Sequence, residues 1–107
     1  MRRWIMADFR TKQGDTRNAL KATLHQNGKM VDLADCEVVF VMTRRGKEII
    51  NREVTIADAP NGKVRVVFEE KELKSTGLHK GTFRVEWSDG QRESFPNSGY
   101  IQILIER

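Results

Sequence analysis

Apolar and polar side chains alternate at every second position along most of this chain, and that period constrains the fold more than any other feature. CEVVFVMT (36–43) sets Cys36, Val38, Phe40 and Met42 on one face. Val39 and Val41 make its other face apolar too, as in a strand that is central or covered. GTFRVEW (81–87) points Phe83, Val85 and Trp87 one way and Thr82, Arg84 and Glu86 the other. KVRVVF (63–68) does the same with Val64, Val66 and Phe68, and RNALKATLH (17–25) with Leu20, Ala22 and Leu24. The closing run, 100–106, alternates Ile101, Ile103 and Ile105 with Gln102 and Leu104. A period of two belongs to strands, whose successive side chains point to opposite faces.

Turn residues punctuate these runs. A first strand is expected over Trp4–Phe9, followed by the turn KQGDT (12–16). QNGK (26–29) and RRGK (44–47) read as further turns, and ADAPNG (57–62) as a loop. MVDLAD (30–35) is a short connection with Leu33 as its core anchor. EIINREVTI (48–56) keeps Ile50, Val54 and Ile56 in phase, and Arg52 breaks the phase, which predicts a bulge or an edge position. EEKELKSTG (69–77) is the one helix-like stretch, about two turns at most, and reads as a crossover between sheets. Asp89-Gly90 predicts a two-residue hairpin turn. Pro96 cannot donate to a ladder, so pairing ends there or an edge begins. Asn97, Ser98 and Gly99 then let the last strand re-enter in another register or another sheet. The pattern predicts an all-β antiparallel β-sandwich of about seven or eight short strands rather than a barrel.

Composition bounds the function. A chain of 107 residues suits one domain, residues 1–107. Hydrophobic residues at 38% with 32% charged fit a folded chain, not a disordered one. No apolar run approaches the roughly 18 residues of a membrane span, so no membrane partner is expected. The start, MRRWIMADFR, has no apolar centre, and no signal peptide is read there. Cys36 is the only cysteine, which excludes an internal disulfide. The net charge of +4 permits an acidic partner without demanding one.

Catalytic chemistry finds little support. Cys36 with His25 or His79 is the only nucleophile–base combination to weigh. Cys36 reads as a small buried hydrophobe, and both histidines as solvated, His79 in a loop beside Lys80. Asp32 and Asp35 lack the spacing of a calcium loop. Glu69, Glu70 and Glu72 read as the solvated face of a short helical turn. No catalytic residue, metal ligand or cofactor is therefore expected. Arg2, Arg3, Arg44, Arg45 and Lys47 supply positive charge, but acidic residues are interleaved along the strands and no nucleic-acid partner is expected. A carbohydrate-binding module is the stronger alternative, with Trp4, Phe95 or Tyr100 as exposed rings.

The order of these pieces resembles a known family. KQGDT (12–16), VDLADCEVVFVMT (31–43), NGKVRVVF (61–68), GTFRVEWSDGQRESFP (81–96) and a closing alternating strand look like the N-terminal domain of phage baseplate upper proteins, from phages and prophages of Gram-positive hosts. The likeness spans about residues 5–106. It implies an immunoglobulin-like sandwich that attaches to the baseplate hub, helps present a receptor-binding module, and catalyses nothing. It implies other tail proteins as partners, a homo-oligomer as one possibility, and a place in the virion tail after synthesis in the bacterial cytoplasm. Gly14, Asp15 and Thr16 would form a turn, Leu33 would plug the sandwich, Asp89 and Gly90 would turn the hairpin, and Pro96 would end the ladder. Members of the family continue into receptor-binding parts, so host recognition is not expected of these residues. Docking is assigned to Trp4, Ile5 and Met6 and to the outward apolar residues Val39, Val41 and Leu104, with burial under a second sheet or loop as the competing reading.

Overall fold

A computed structural model describes residues 7–107. The interface assignment of Trp4, Ile5 and Met6, and half of the expected first strand Trp4–Phe9, lie outside the described residues; within them the strand begins only at Phe9 and runs on into the expected turn at Lys12. The strands are β1 (Phe9–Lys12), β2 (Leu20–Thr23), β3 (His25–Gln26), β4 (Lys29–Met30), β5 (Glu37–Arg44), β6 (Lys47–Glu53), β7 (Thr55–Asp58), β8 (Lys63–Val66), β9 (Gly77–Glu86), β10 (Arg92–Phe95) and β11 (Ile101–Glu106). Two short 3-10 turns, Ala59–Asn61 and Glu70–Leu73, join some of them.

One sheet has the order β1-β11-β9-β5-β6, with β10 also paired to β9. The other has the order β2-β8-β7, and β3 and β4 form a separate hairpin. The chain is an immunoglobulin-like β-sandwich, whose two sheets bury their alternating apolar faces against each other. Val38, Phe40, Met42, Phe83, Val85, Ile103 and Ile105 line the inner face of the larger sheet, and Leu20, Val64 and Val66 that of the smaller. Phe68 and Leu33 are buried between them. Phe68 stacks on Phe9 at 5.8 Å between centroids and meets the edge of Phe40 at 6.3 Å.

The fold departs from the antiparallel expectation at one place. β1 runs parallel to β11, with Phe9 opposite Ile103 and Thr11 opposite Ile105. The strand count among the described residues, eleven, also exceeds the expectation, because two expected strands are each split and Lys29–Met30, expected as turn and connection, pairs as β4. EIINREVTI leaves the larger sheet after Glu53 and enters the smaller one at Thr55. RNALKATLH is divided at Leu24, whose N–H donates to the Gly62 carbonyl at 2.8 Å while its carbonyl accepts the Val31 N–H at 2.9 Å. Arg52 does lie on an edge strand, but it pairs in regular register with Phe40; the bulge falls at Ile49, where the partner of β5 steps from Ile50 at Met42 to Glu48 at Thr43. The helix-like stretch is a single 3-10 turn that crosses from the smaller sheet to the larger.

His79 corrects the sequence reading. It sits inside β9 with no exposed surface, not in a solvated loop. The strand begins at Gly77 rather than at Gly81, and Gly81 lies where neighbours pack too closely for any side chain. A Cβ there would stand 2.8 Å from the Ile103 Cδ1 and 3.0 Å from the Phe40 ring. The inward alternation therefore starts two steps earlier than the sequence suggests. Glu72 is a second correction, buried rather than solvated, and Trp87 is only half-buried at the margin of the core.

Pro96 has a visible role. β10 and β11 both pair with β9, β10 along 83–86 and β11 along 77–81. Pairing stops at Phe95, the Phe95–Pro96 peptide is cis, and the chain resumes on the same partner in a different register. The turn at Asp89-Gly90 has three residues, not two. Trp87 N–H bonds the Gln91 carbonyl at 2.9 Å, and Gly90 takes the left-handed position with φ of 90°. Asp89 accepts the Gln91 N–H at 3.0 Å, so its carboxylate serves the loop rather than a tight two-residue turn.

Candidate functional site

A groove opens where β2, one of the two edge strands of the smaller sheet, faces the junction of β10 and β11. It encloses about 510 Å³. Its floor is apolar, from buried Leu20, Leu24, Phe83 and Phe95. Pro96, Ser98, Tyr100 and Ile101 form one wall, and Ala22, Thr23 and His25 the other, with Asp8 at one end. Tyr100 is 55% exposed, the most exposed large apolar side chain among the described residues. Lys80 Nζ lies 5.2 Å from its ring centroid, a cation–π contact that limits the ring's freedom.

Backbone polarity adds to the groove. Leu24 donates toward Gly62, on the β8 side, so Ala22 and Leu20 use that side as well. Lys21 and Thr23 then direct their N–H and C=O groups to the free edge. The Thr23 carbonyl takes His25 Nδ1 at 3.1 Å. An edge of this kind is a template for an incoming extended segment.

The outward residues named from the sequence occupy the opposite side of the molecule. Val39, Val41 and Leu104 are half-exposed on the outer face of the larger sheet. Val39 lies opposite Arg84 and Val41 opposite Thr82, while Leu104 pairs with exposed Leu78. Gln102, Lys80 and Thr43 form a polar row between the two places, so no continuous apolar patch results. Among the described residues, neither a second sheet nor a loop covers these three fully.

The turn residues fall as follows. Gly14 has φ of 77° in a turn closed by the Asp15 N–H on the Lys12 carbonyl at 3.0 Å. Thr16 lies in the next turn. Leu33 donates its N–H to the Ala59 carbonyl at 2.8 Å and is 1% exposed.

The groups considered for catalysis do not converge. Cys36 is half-buried at the start of β5, and its thiol donates weakly to the Ala34 carbonyl at 3.5 Å. Burial, then the charges of Asp32, Asp35 and Asp89, raise its pKa, which disfavours the nucleophilic thiolate. His79 lies beyond the other end of the β5–β9 ladder, level with Arg44 and about 27 Å away at roughly 3.4 Å per residue. Its Nδ1 must carry the proton, because it bonds the Gly77 carbonyl at 2.9 Å. Burial lowers the pKa of His79, the Gly77 bond opposes this, and nearby Arg44 lowers it further. Among the described residues no group of three or more acidic, cysteine or histidine side chains is placed to hold a metal ion.

Phe95 is 2% exposed, a correction to its proposed place in a sugar-stacking surface. Tyr100 alone of the described rings stands out on the groove.

Comparison with known families decides what this scaffold is. The model of the BppU N-terminal domain matches residues 4–96. The chain belongs to that family. It is a phage baseplate domain, and the family points to the virion tail as its place. Among solved structures, the N-terminal domain of phage TP901-1 ORF48 superposes with a TM-score of 0.72 at 18% identity, covering 92% of this chain and 84% of that one. CopC from Methylosinus trichosporium OB3b has a TM-score of 0.52 at 19% identity, over 94% of this chain and 85% of that chain. At these identities the two structures speak for the sandwich alone. No curated protein sequence matches the chain. The sequence missed the groove of this BppU domain because its walls come from residues 20–25 and 95–101, which only the sheet packing brings together.

Proposed function

We propose that this BppU N-terminal domain is a non-catalytic attachment module, which docks another protein of the phage tail by taking an extended segment of it into the groove beside β2. The observation that carries this reading is an edge strand, whose Lys21 and Thr23 face away from the β8 ladder, lying beside an apolar floor. Backbone bonds at Lys21 and Thr23 would hold the segment, and Phe95, Tyr100 and Ile101 would receive its alternate side chains. Family membership supports a tail protein as the partner, and the hub of the baseplate is the natural candidate because copies arranged around it add avidity.

The test is quantitative capture of purified baseplate proteins from the same phage by the immobilised domain. Thr23→Pro removes an outward N–H without removing a ladder bond, and Tyr100→Ala removes the exposed ring. Each is expected to weaken capture about tenfold, equivalent to roughly 1.4 kcal/mol, with little change in melting temperature. Wild-type affinity in both variants would overturn the groove as the docking site. Binding of a cell-wall saccharide that Tyr100→Ala abolishes would support the carbohydrate reading instead.

A further inference from the structure

The outer face of the β2-β8-β7 sheet carries a cluster of cations that make no ion pair among the described residues. Lys21 and Arg65 are directly opposite each other in the β2–β8 ladder. Side chains in that relation have Cβ atoms about 5 Å apart, and like charges there destabilise the pair. Lys63 points to the same side two residues along, about 7 Å away. All three are exposed, and they line a shallow cleft of about 460 Å³ whose remaining outward lining is the small side chains Thr23 and Ala57. Among the described residues, none of the three takes part in an ion pair. Asp58 lies opposite Lys63, but its carboxylate accepts the Asn61 amide at 2.9 Å instead.

Another like-charged pair in the molecule is treated differently. Glu37 and Glu86 are opposite each other on the larger sheet, and Arg92 stands 3.7 Å from Glu86. Among the described residues, no acidic side chain forms an ion pair with Lys21 or Arg65 to relieve their repulsion. We infer that this basic sheet face is the docking surface for an acidic peptide segment of the tail partner. An extended strand repeats its side chains on one face every 6.8 Å or so, which matches the spacing from Arg65 to Lys63. Among the described residues, the face offers no aromatic ring on which a nucleic-acid base would stack. Lys21 borders both this cleft and the groove, so one partner reaches both.

The inference rests on the reading that the domain docks a tail protein, and its test separates the two. The ¹⁵N-labelled domain is titrated with an octaglutamate peptide at low salt and followed by amide shifts. Changes should gather at Lys21, Thr23, Ala57, Lys63 and Arg65 and fade as salt rises. Lys21→Glu/Arg65→Glu should weaken binding about tenfold, and Arg84→Glu/Lys47→Glu, on the larger sheet, should not. Lys21→Glu alone should melt no lower than wild type, because it turns a repulsive pair into an attractive one. Shifts spread over both sheets, or none at millimolar peptide, would overturn the inference. Tighter binding of inorganic polyphosphate or oligodeoxythymidine than of the peptide would overturn it in favour of a phosphate polymer. If Tyr100→Ala loses a baseplate partner that Lys21→Glu/Arg65→Glu retains, the basic face is wrong and the groove stands.

Discussion

Glu72→Gln should be among the most damaging single-atom changes available in this domain. Glu72 sits at the 3-10 crossover with a side chain only 7% exposed, and Arg52 reaches it from the edge strand β6. Arg52 Nε donates to one carboxylate oxygen and Nη2 to the other, both at 2.8 Å. Nη2 also bonds the Val67 carbonyl at 2.7 Å, and the Glu69 N–H donates to Glu72 at 2.7 Å. This knot ties the larger sheet to the segment that crosses from the smaller. Each charge-assisted bond contributes about 1.5–3 kcal/mol. Glutamine keeps an acceptor for one of them and turns an amide donor toward Arg52. Arg52 is 32% exposed and regains water, which discounts the loss. The expected cost is about 2 kcal/mol, or roughly 10 °C in melting temperature for a domain of this size.

The charge gives this prediction a pH signature. Burial by itself would raise the Glu72 pKa, but the bonds from Arg52 and the Glu69 N–H outweigh it and hold the value below the ordinary 4.5. As pH falls, the unfolded chain therefore binds this proton before the folded one does. The contribution is complete above 4.5 and is lost as pH drops through the folded value. Urea unfolding of wild type and Glu72→Gln, at neutral pH and in acid, reads both effects. A cost under about 0.5 kcal/mol at neutral pH, or a gap that fails to narrow in acid, would refute the reasoning.

Gly62→Ala should cost about 2–4 kcal/mol, since its φ is 67° and a Cβ would stand 2.6 Å from the Val31 carbonyl oxygen and 2.9 Å from that of Leu24. Gly90→Ala, with positive φ but open space around it, should cost only about 1 kcal/mol by the same denaturation assay. His79 has a lowered pKa, so the unfolded chain takes up its proton first, and this residue's share of stability falls as pH drops below the ordinary 6.5. Replacing His79 with Gln should flatten the stability profile just below that pH, and an unchanged slope would contradict the assignment. Arg92→Gln, which breaks a pair of two exposed side chains at 3.7 Å, should change the melting temperature by no more than a degree or two. Light scattering over a range of concentrations should report a monomer if symmetry comes from the hub, and a defined trimer or hexamer would place an interface between copies.

Local chemistry was enough to read much of this chain. Alternation in 36–43 and 81–87 identified Val38, Phe40, Phe83 and Val85 as core, because a strand's two faces are set by the backbone alone. Asn27-Gly28 turned as expected, with both residues at positive φ between β3 and β4. Pro96 ended a ladder for the simple reason that it has no N–H to give. The errors share a cause. His79 looked like a solvated loop residue until β9 was seen to run through it, and Glu72 looked solvated until Arg52 arrived from twenty residues away. The parallel pairing of β1, the groove beside β2 and the Lys21–Arg65 opposition all join segments far apart in the chain. By itself the sequence determined the strands, the turns and the family, since each is written in neighbouring residues. Only the tertiary structure decided which strand edges stay free and which charges face each other, because those follow from the pairing of distant strands.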